Sequence, residues 1–215
     1  LAPTHIAIFL LVLLLLPLGC SRPATESPLA TQAQAVRQGG TDRIESDYAA
    51  IRDDDLACLA DLVELHELKL PNAAISDAGL SHLIKLRQLE RLVLGDTKIT
   101  DAGLARLRPL TGLKTVNLSG SRLTPVGAAL LPEFQHLELV RLGGENITDA
   151  ALPHFARIPK LRFLILRNAP ITDAGLKSIY GLVNLESLYL ENTEVTEAGI
   201  GELQKALPGL HIHTP

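Results

Sequence analysis

The 215-residue chain has no Trp, only four Phe and three Tyr. A core cannot be organised around a few large rings. It must be assembled from many similar aliphatic side chains, which points to a repetitive architecture. Cysteine is almost as scarce: Cys20 and Cys58 are the only two, so a disulfide framework is excluded. The formal net charge is −4, without the basic excess that nucleic acid or an anionic surface would call for. There is no phosphate-cradling glycine loop, no nucleophile elbow and no zinc-ligand spacing. With no convergent catalytic set and no cofactor implied, the expectation is binding and not catalysis.

What the chain does have is a period. From Leu62 to Lys205 it repeats every 24 residues without insertion, in six units that start at Leu62, Leu86, Leu110, Phe134, Ile158 and Leu182. Unit positions 1, 4, 7, 9, 14, 19 and 22 hold Leu, Ile, Val or Phe at 41 of 42 places, Ala128 being the exception. Arg43 onward aligns as an incomplete first unit, and Leu207 to Ile212 resembles the opening of another, which would supply a terminal strand. Terminal units of a stack are atypical because one side of each faces water.

Within a unit, Leu92 and Leu94 alternate with Arg91 and Val93, which reads as a short half-buried strand. Gly95 to Lys98 turns the chain. Thr100 stands in a column that is Ser or Thr in every unit, suited to accept a bond from an orphan helix N–H. Asp101 follows, and a carboxylate there favours the positive end of a helix dipole. Gly103 lies inside the helix at a cost of roughly 1 kcal/mol against Ala. Its column is Gly in five units and Ala151 in the other, and the repeated cost suggests close packing of successive helices. Such units cannot bury their apolar side alone, but stacked they form a parallel sheet on one face and helices on the other.

The Leu-x-x-Leu-x-Leu string followed by Ile-Thr-Asp-Ala-Gly-Leu resembles the leucine-rich-repeat family. It is most similar to the short-helix branch of ribonuclease-inhibitor-like and F-box-associated repeats, as in exported bacterial leucine-rich-repeat lipoproteins. The resemblance covers about residues 43–215. It implies an α/β, right-handed leucine-rich-repeat solenoid with a parallel concave sheet and short convex helices, whose partner is most often a protein bound on the concave side.

The first residues read differently. Ile6 to Gly19 is an uncharged apolar run, short for a membrane span, which needs about 20 residues, and suited to the core of a secretory signal. It ends in Leu16-Pro17-Leu18-Gly19-Cys20, which resembles the lipobox of bacterial lipoproteins, although Pro17 stands where Leu is usual. That resemblance implies a signal peptide over 1–19, lipidation of Cys20, and a lipid-anchored protein of the bacterial envelope, with a secreted or periplasmic soluble protein as the alternative. Residues 20–42, rich in Ala, Ser, Thr, Pro and Gln, read as a flexible tether, followed by the repeat domain over 43–215.

The outward strand side chains locate a candidate site. A water-facing strand should carry polar residues, yet units four to six present Leu139, Phe163, Ile165 and Tyr189, with Arg91, Arg141 and Arg167 around them. Apolar surface ringed by polar groups marks binding sites, and aromatics with Arg are enriched in hot spots. The alternative function is a self-associating structural component of the envelope. Asp53, Asp54 and Asp55 read as solvated helix-start carboxylates, His211 and His213 lack a third metal ligand, and Cys58 reads as a partly buried free thiol.

Overall fold

The computed structural model describes residues 27–47 and 49–214. The apolar run and Cys20 lie outside them. Eight parallel strands form one sheet in chain order: β1 (Arg43–Glu45), β2 (Glu67–Lys69), β3 (Arg91–Val93), β4 (Thr115–Asn117), β5 (Leu139–Gly143), β6 (Phe163–Arg167), β7 (Ser187–Tyr189) and β8 (His211–His213). Every neighbouring pair is in register 24 residues apart, so the sequence period is the strand spacing of the stack. Short helices return the chain: α2 (Asp101–Arg106), α3 (Pro125–Ala128), α4 (Leu152–Phe155), α5 (Asp173–Leu176) and α6 (Glu197–Ala206), with 3-10 turns in their place at Asp53–Leu59 and Gly79–His82 and beside α3, α4 and α5.

Of the 42 apolar-column places, 40 are buried. The two that are not, Val195 and Ile200, belong to the last full unit, whose outer side has less of the stack to lie against. Strands β2 to β7 each end in a turn whose eleventh unit residue has a positive φ: Asn72, Asp96, Gly120, Gly144, Asn168 and Asn192, with φ between 53° and 107°. These are the residue types that adopt this region at low cost. β5 and β6 run five residues where the others run three, because Gly143 lets the carbonyl of Arg167 approach where a Cβ would collide with it.

The helix side is held by a ladder between units. The carboxylate of Asp77 accepts the backbone N–H of Thr100 at 2.8 Å and its hydroxyl at 2.6 Å. Asp53 does the same to Ser76, Asp101 to Thr124, Asp149 to Thr172 and Asp173 to Thr196. The hydroxyl, its proton directed to the aspartate, turns its lone pairs to the helix start: Thr100 accepts from Ala102 N–H at 3.2 Å, and Ser76, Thr124, Thr172 and Thr196 cap likewise. The aspartates therefore act as bridges to the next unit, beyond the dipole role expected of them.

The glycine column follows from the same bridge. A Cβ on Gly79, Gly103, Gly127, Gly175 or Gly199 would fall on the carboxylate of Asp53, Asp77, Asp101, Asp149 or Asp173 respectively. The expected reason was helix-to-helix crowding; the nearest obstacle is instead the bridging side chain. The exception supports this. Pro125 stands where the other units have an acid, Thr148 has no side-chain cap bond, and the glycine position holds Ala151, fully buried.

From Ser27 onward, where it is described, the segment expected as a tether over 20–42 is ordered instead. Ala30–Arg37 forms α1, with Leu29, Ala33 and Val36 buried against the first unit. The Gln32 amide donates to the Glu45 carbonyl and accepts the Glu45 N–H, both at 3.0 Å, so a side chain occupies the free edge of β1. Arg37 binds Asp61 at 2.7 Å and the Cys58 carbonyl at 2.7 Å. α1 is thus an end cap. Its few apolar residues are enough because it covers only one unit's open side. Cys58 is buried beneath it, 3.2 Å from the Asp55 carbonyl, and burial pushes its thiol pKa up.

Candidate binding face

Unit positions 6, 8 and 10 point away from the core, and the register sets their side chains in rows across the sheet. The face has two halves. Over β1 to β3 the charges neutralise one another: Lys69 Nζ lies 2.7 Å from Glu67 and 3.3 Å from Glu45, while Arg43 and Arg91 each lie 3.6 Å from Glu67. The hydrogen bond that Lys69 donates to the Glu67 carboxylate is the main cause of its raised pKa.

Over β5 to β7 the face turns apolar. Leu139 lies beside Phe163, and Ile165 lies between Arg141 and Tyr189, all of them half-buried. Arg162 sits over the Phe163 ring at 5.3 Å and Arg167 over Tyr189 at 5.8 Å. Tyr189 stacks on His213, with centroids 4.0 Å apart and planes 5° from parallel. Six of the seven residues singled out from the sequence share this region. Arg91 does not: β4 intervenes, with Thr115 between it and Leu139, and Arg91 belongs to the ion-paired half.

At the C-terminal ends of these strands the face opens into a cavity of about 300 Å³, lined by Ser119, Arg141, Arg167 and Glu191 among others. Gly143 and Gly144 contribute no side chains to fill it. Arg167 Nη2 binds Glu191 at 2.6 Å. Three buried polar atoms without a partner, Ser119 Oγ, Arg141 Nε and Arg167 Nε, belong to residues of this lining.

Sequence reading did not place Ser119, Glu191 or Arg162 in the site, and weighed His213 only as a metal ligand. The signal was available: side chains 24 residues apart lie in the same row of adjacent units. Arg167 with Glu191, Tyr189 with His213, Arg162 with Glu186 and Lys114 with Glu90 are all such pairs. Asp53 is engaged by Ser76. Among the described residues no three His, Cys, Asp or Glu side chains converge on one point, and no helix is long and apolar enough to cross a membrane.

A stack of strand–turn–helix units in 24-residue register, with one open sheet and one helical side, is a leucine-rich-repeat solenoid. A family model described as Leucine Rich repeat matches residues 157–179. No curated protein matches the sequence. Among solved structures, an internalin from Listeria monocytogenes is similar with a TM-score of 0.64 and 21% identity, over 84% of this chain and 49% of that one. Internalin C2 from the same organism is similar with a TM-score of 0.63 and 17% identity, over 90% and 93% of the two chains. A leucine-rich-repeat protein from Leptospira interrogans is similar with a TM-score of 0.55 and 21% identity, over 73% of this chain and 38% of that one. The chain thus spans about half the length of the first internalin. These likenesses show the fold.

Proposed function

We propose that the chain is an exported, lipid-anchored leucine-rich-repeat protein that binds a protein partner on the concave face of its sheet. The observation that carries this reading is the contrast within one face: apolar and aromatic side chains gather over β5 to β7, beside a half whose charges are already paired. Contiguous apolar surface with aromatic and Arg side chains is the composition of binding hot spots. Export and anchoring are supported by the apolar run Ile6 to Gly19 and its junction with Cys20.

The test is affinity capture from envelope extract on an immobilised chain beginning at Ser21, which keeps the α1 cap, beside a Phe163→Ala/Tyr189→Ala variant of equal thermal stability. Capture is expected to fall by at least about 30-fold in the variant. Equal capture by both chains would sink the concave-face reading. Light scattering on the same samples separates self-association: a native oligomer that dissociates in the variant would replace a separate partner by a second copy. Radiolabelled palmitate incorporation, lost in Cys20→Ala, is the outcome expected of the anchor.

A further inference from the structure

The unpartnered donors of the face are not scattered. Of the five buried side-chain N and O atoms without a hydrogen-bond partner among the described residues, three belong to Ser119, Arg141 and Arg167, which line the 300 Å³ cavity. Buried polar atoms in folded proteins nearly always have partners, and those that lack them call for an explanation. All three can donate. Arg141 is the extreme case: half-buried, it makes no side-chain hydrogen bond and no ion pair with any described residue. Other guanidiniums on this side of the molecule are engaged, Arg167 by Glu191 and Arg162 by Glu186. A half-buried guanidinium ordinarily has an acid beside it.

We propose that this cavity is a carboxylate-binding subsite, in which the Arg141 guanidinium receives an Asp or Glu side chain of a polypeptide lying on the concave face. The proposal rests on that face being a protein-binding one, and adds which chemistry the partner must carry. Arg141 stands in the row of Ile165 and Tyr189 and two residues along β5 from Leu139. One bound segment can therefore place an apolar side chain on the patch and an acid in the cavity. The cavity has room for several waters, each claiming about 30 Å³, so a carboxylate fits without displacing protein. The planar two-oxygen group matches the guanidinium fork. The rim narrows the choice further. Glu191 stays on Arg167, and Asp96, exposed, stands on the far side of the opening, so the lining balances by count while one guanidinium is left free. Two acids on the rim disfavour a doubly charged phosphate and tolerate a single carboxylate.

The probe is a phage-displayed library of random octapeptides, selected on the chain from Ser21 onward. An enriched peptide is then synthesised with its acid and with the corresponding amide, and both are titrated by fluorescence anisotropy. Native protein is expected to enrich Asp or Glu at a fixed distance from an apolar residue, and to bind the acid about 10- to 100-fold more tightly than the amide. Arg141→Gln removes that discrimination. Arg91→Gln, an equal loss of charge on the same face, keeps it. Thermal melts of both variants should match native, since neither side chain supports the core. Enrichment without an acid preference, or discrimination that survives Arg141→Gln, overturns the subsite while leaving the apolar patch intact, provided Phe163→Ala still abolishes binding. A selection that yields no Phe163-dependent binder overturns the subsite together with the wider reading.

Discussion

Two neighbouring joints of the stack keep the same threonine but differ at the two positions that accompany it. Where the second unit meets the third, Asp101 bridges to the amide and hydroxyl of Thr124, Thr124 caps α3, and Gly127 leaves room for the carboxylate. One unit later the trio is Pro125, Thr148 and Ala151: Thr148 caps nothing through its side chain, and a methyl group stands where the other units need open space. Two positions 26 residues apart have changed together, while the threonine between them is kept. The comparison shows that the glycine column answers to the aspartate of the preceding unit, since it is relaxed in the one place where that aspartate is missing. It also shows that the hydroxyl caps a helix reliably when something fixes its proton.

The largest effect is expected from closing the space at an intact joint. Gly103→Ala puts a methyl group on the Asp77 carboxylate, which must leave its two bonds to Thr100. Bonds to a charged group contribute about 1.5–3 kcal/mol each, and the helix gains roughly 1 kcal/mol from Ala. A net loss of about 2–5 kcal/mol in urea unfolding follows. In an Asp77→Ala background the same change should cost nothing or stabilise, because the obstacle is gone. Additive costs in that double-mutant cycle would refute the pairing of the two columns.

The converse rebuilds the missing bridge. Pro125→Asp with Ala151→Gly is expected to raise stability by about 1 kcal/mol, the new bonds to Thr148 outweighing the helix cost of Gly. Pro125→Asp alone should give no gain, because the Ala151 methyl still occupies the carboxylate's place. A gain from the single change as large as from the pair would show that the methyl is no obstacle.

The smallest effect comes from acid. The hydroxyl of Thr196, and then its backbone N–H, hold the Asp173 carboxyl below its usual range. A pKa depressed in the folded state contributes stability that is present above the unfolded value, about 3.9, and is lost as pH falls through the lower folded one. The Thr196 amide resonance should therefore shift with a midpoint below about pH 3.9, while that of Thr148, which faces Pro125, should not follow it. A Thr196 midpoint at or above the ordinary carboxylate value would remove the bridge from the account.

The solenoid was legible because its signal is redundant: the period, the apolar columns and the strand rows are each written six times. The ladder was less so. Ser or Thr next to Asp, as in Thr100-Asp101, reads as local helix chemistry, and nothing nearby in sequence tells the Asp77 carboxylate to look 23 residues ahead. The clue was covariation between columns, Pro125 with Ala151, visible only once the columns are compared with each other. α1 was missed for a different reason. With Leu29, Ala33 and Val36 as its buried residues, it carries too little apolar periodicity to stand out from a polar segment, and gains its order from the unit it covers. On the binding face the apolar patch could be read from alternation, whereas the cavity depends on what two glycines leave open beside Arg141.

That end cap has a bearing on reach. Ser27 is already buried, and six residues, Ser21 to Glu26, stand between it and Cys20 in the sequence. Six residues drawn out fully span at most about 20–22 Å. A lipid on Cys20 would therefore hold the molecule on a short leash, with its first unit near the bilayer and β8 at the far end of the stack. The ion-paired half of the face would lie toward the lipid and the apolar half away from it, so a partner would be met from the aqueous side, at the end of the solenoid farthest from the membrane.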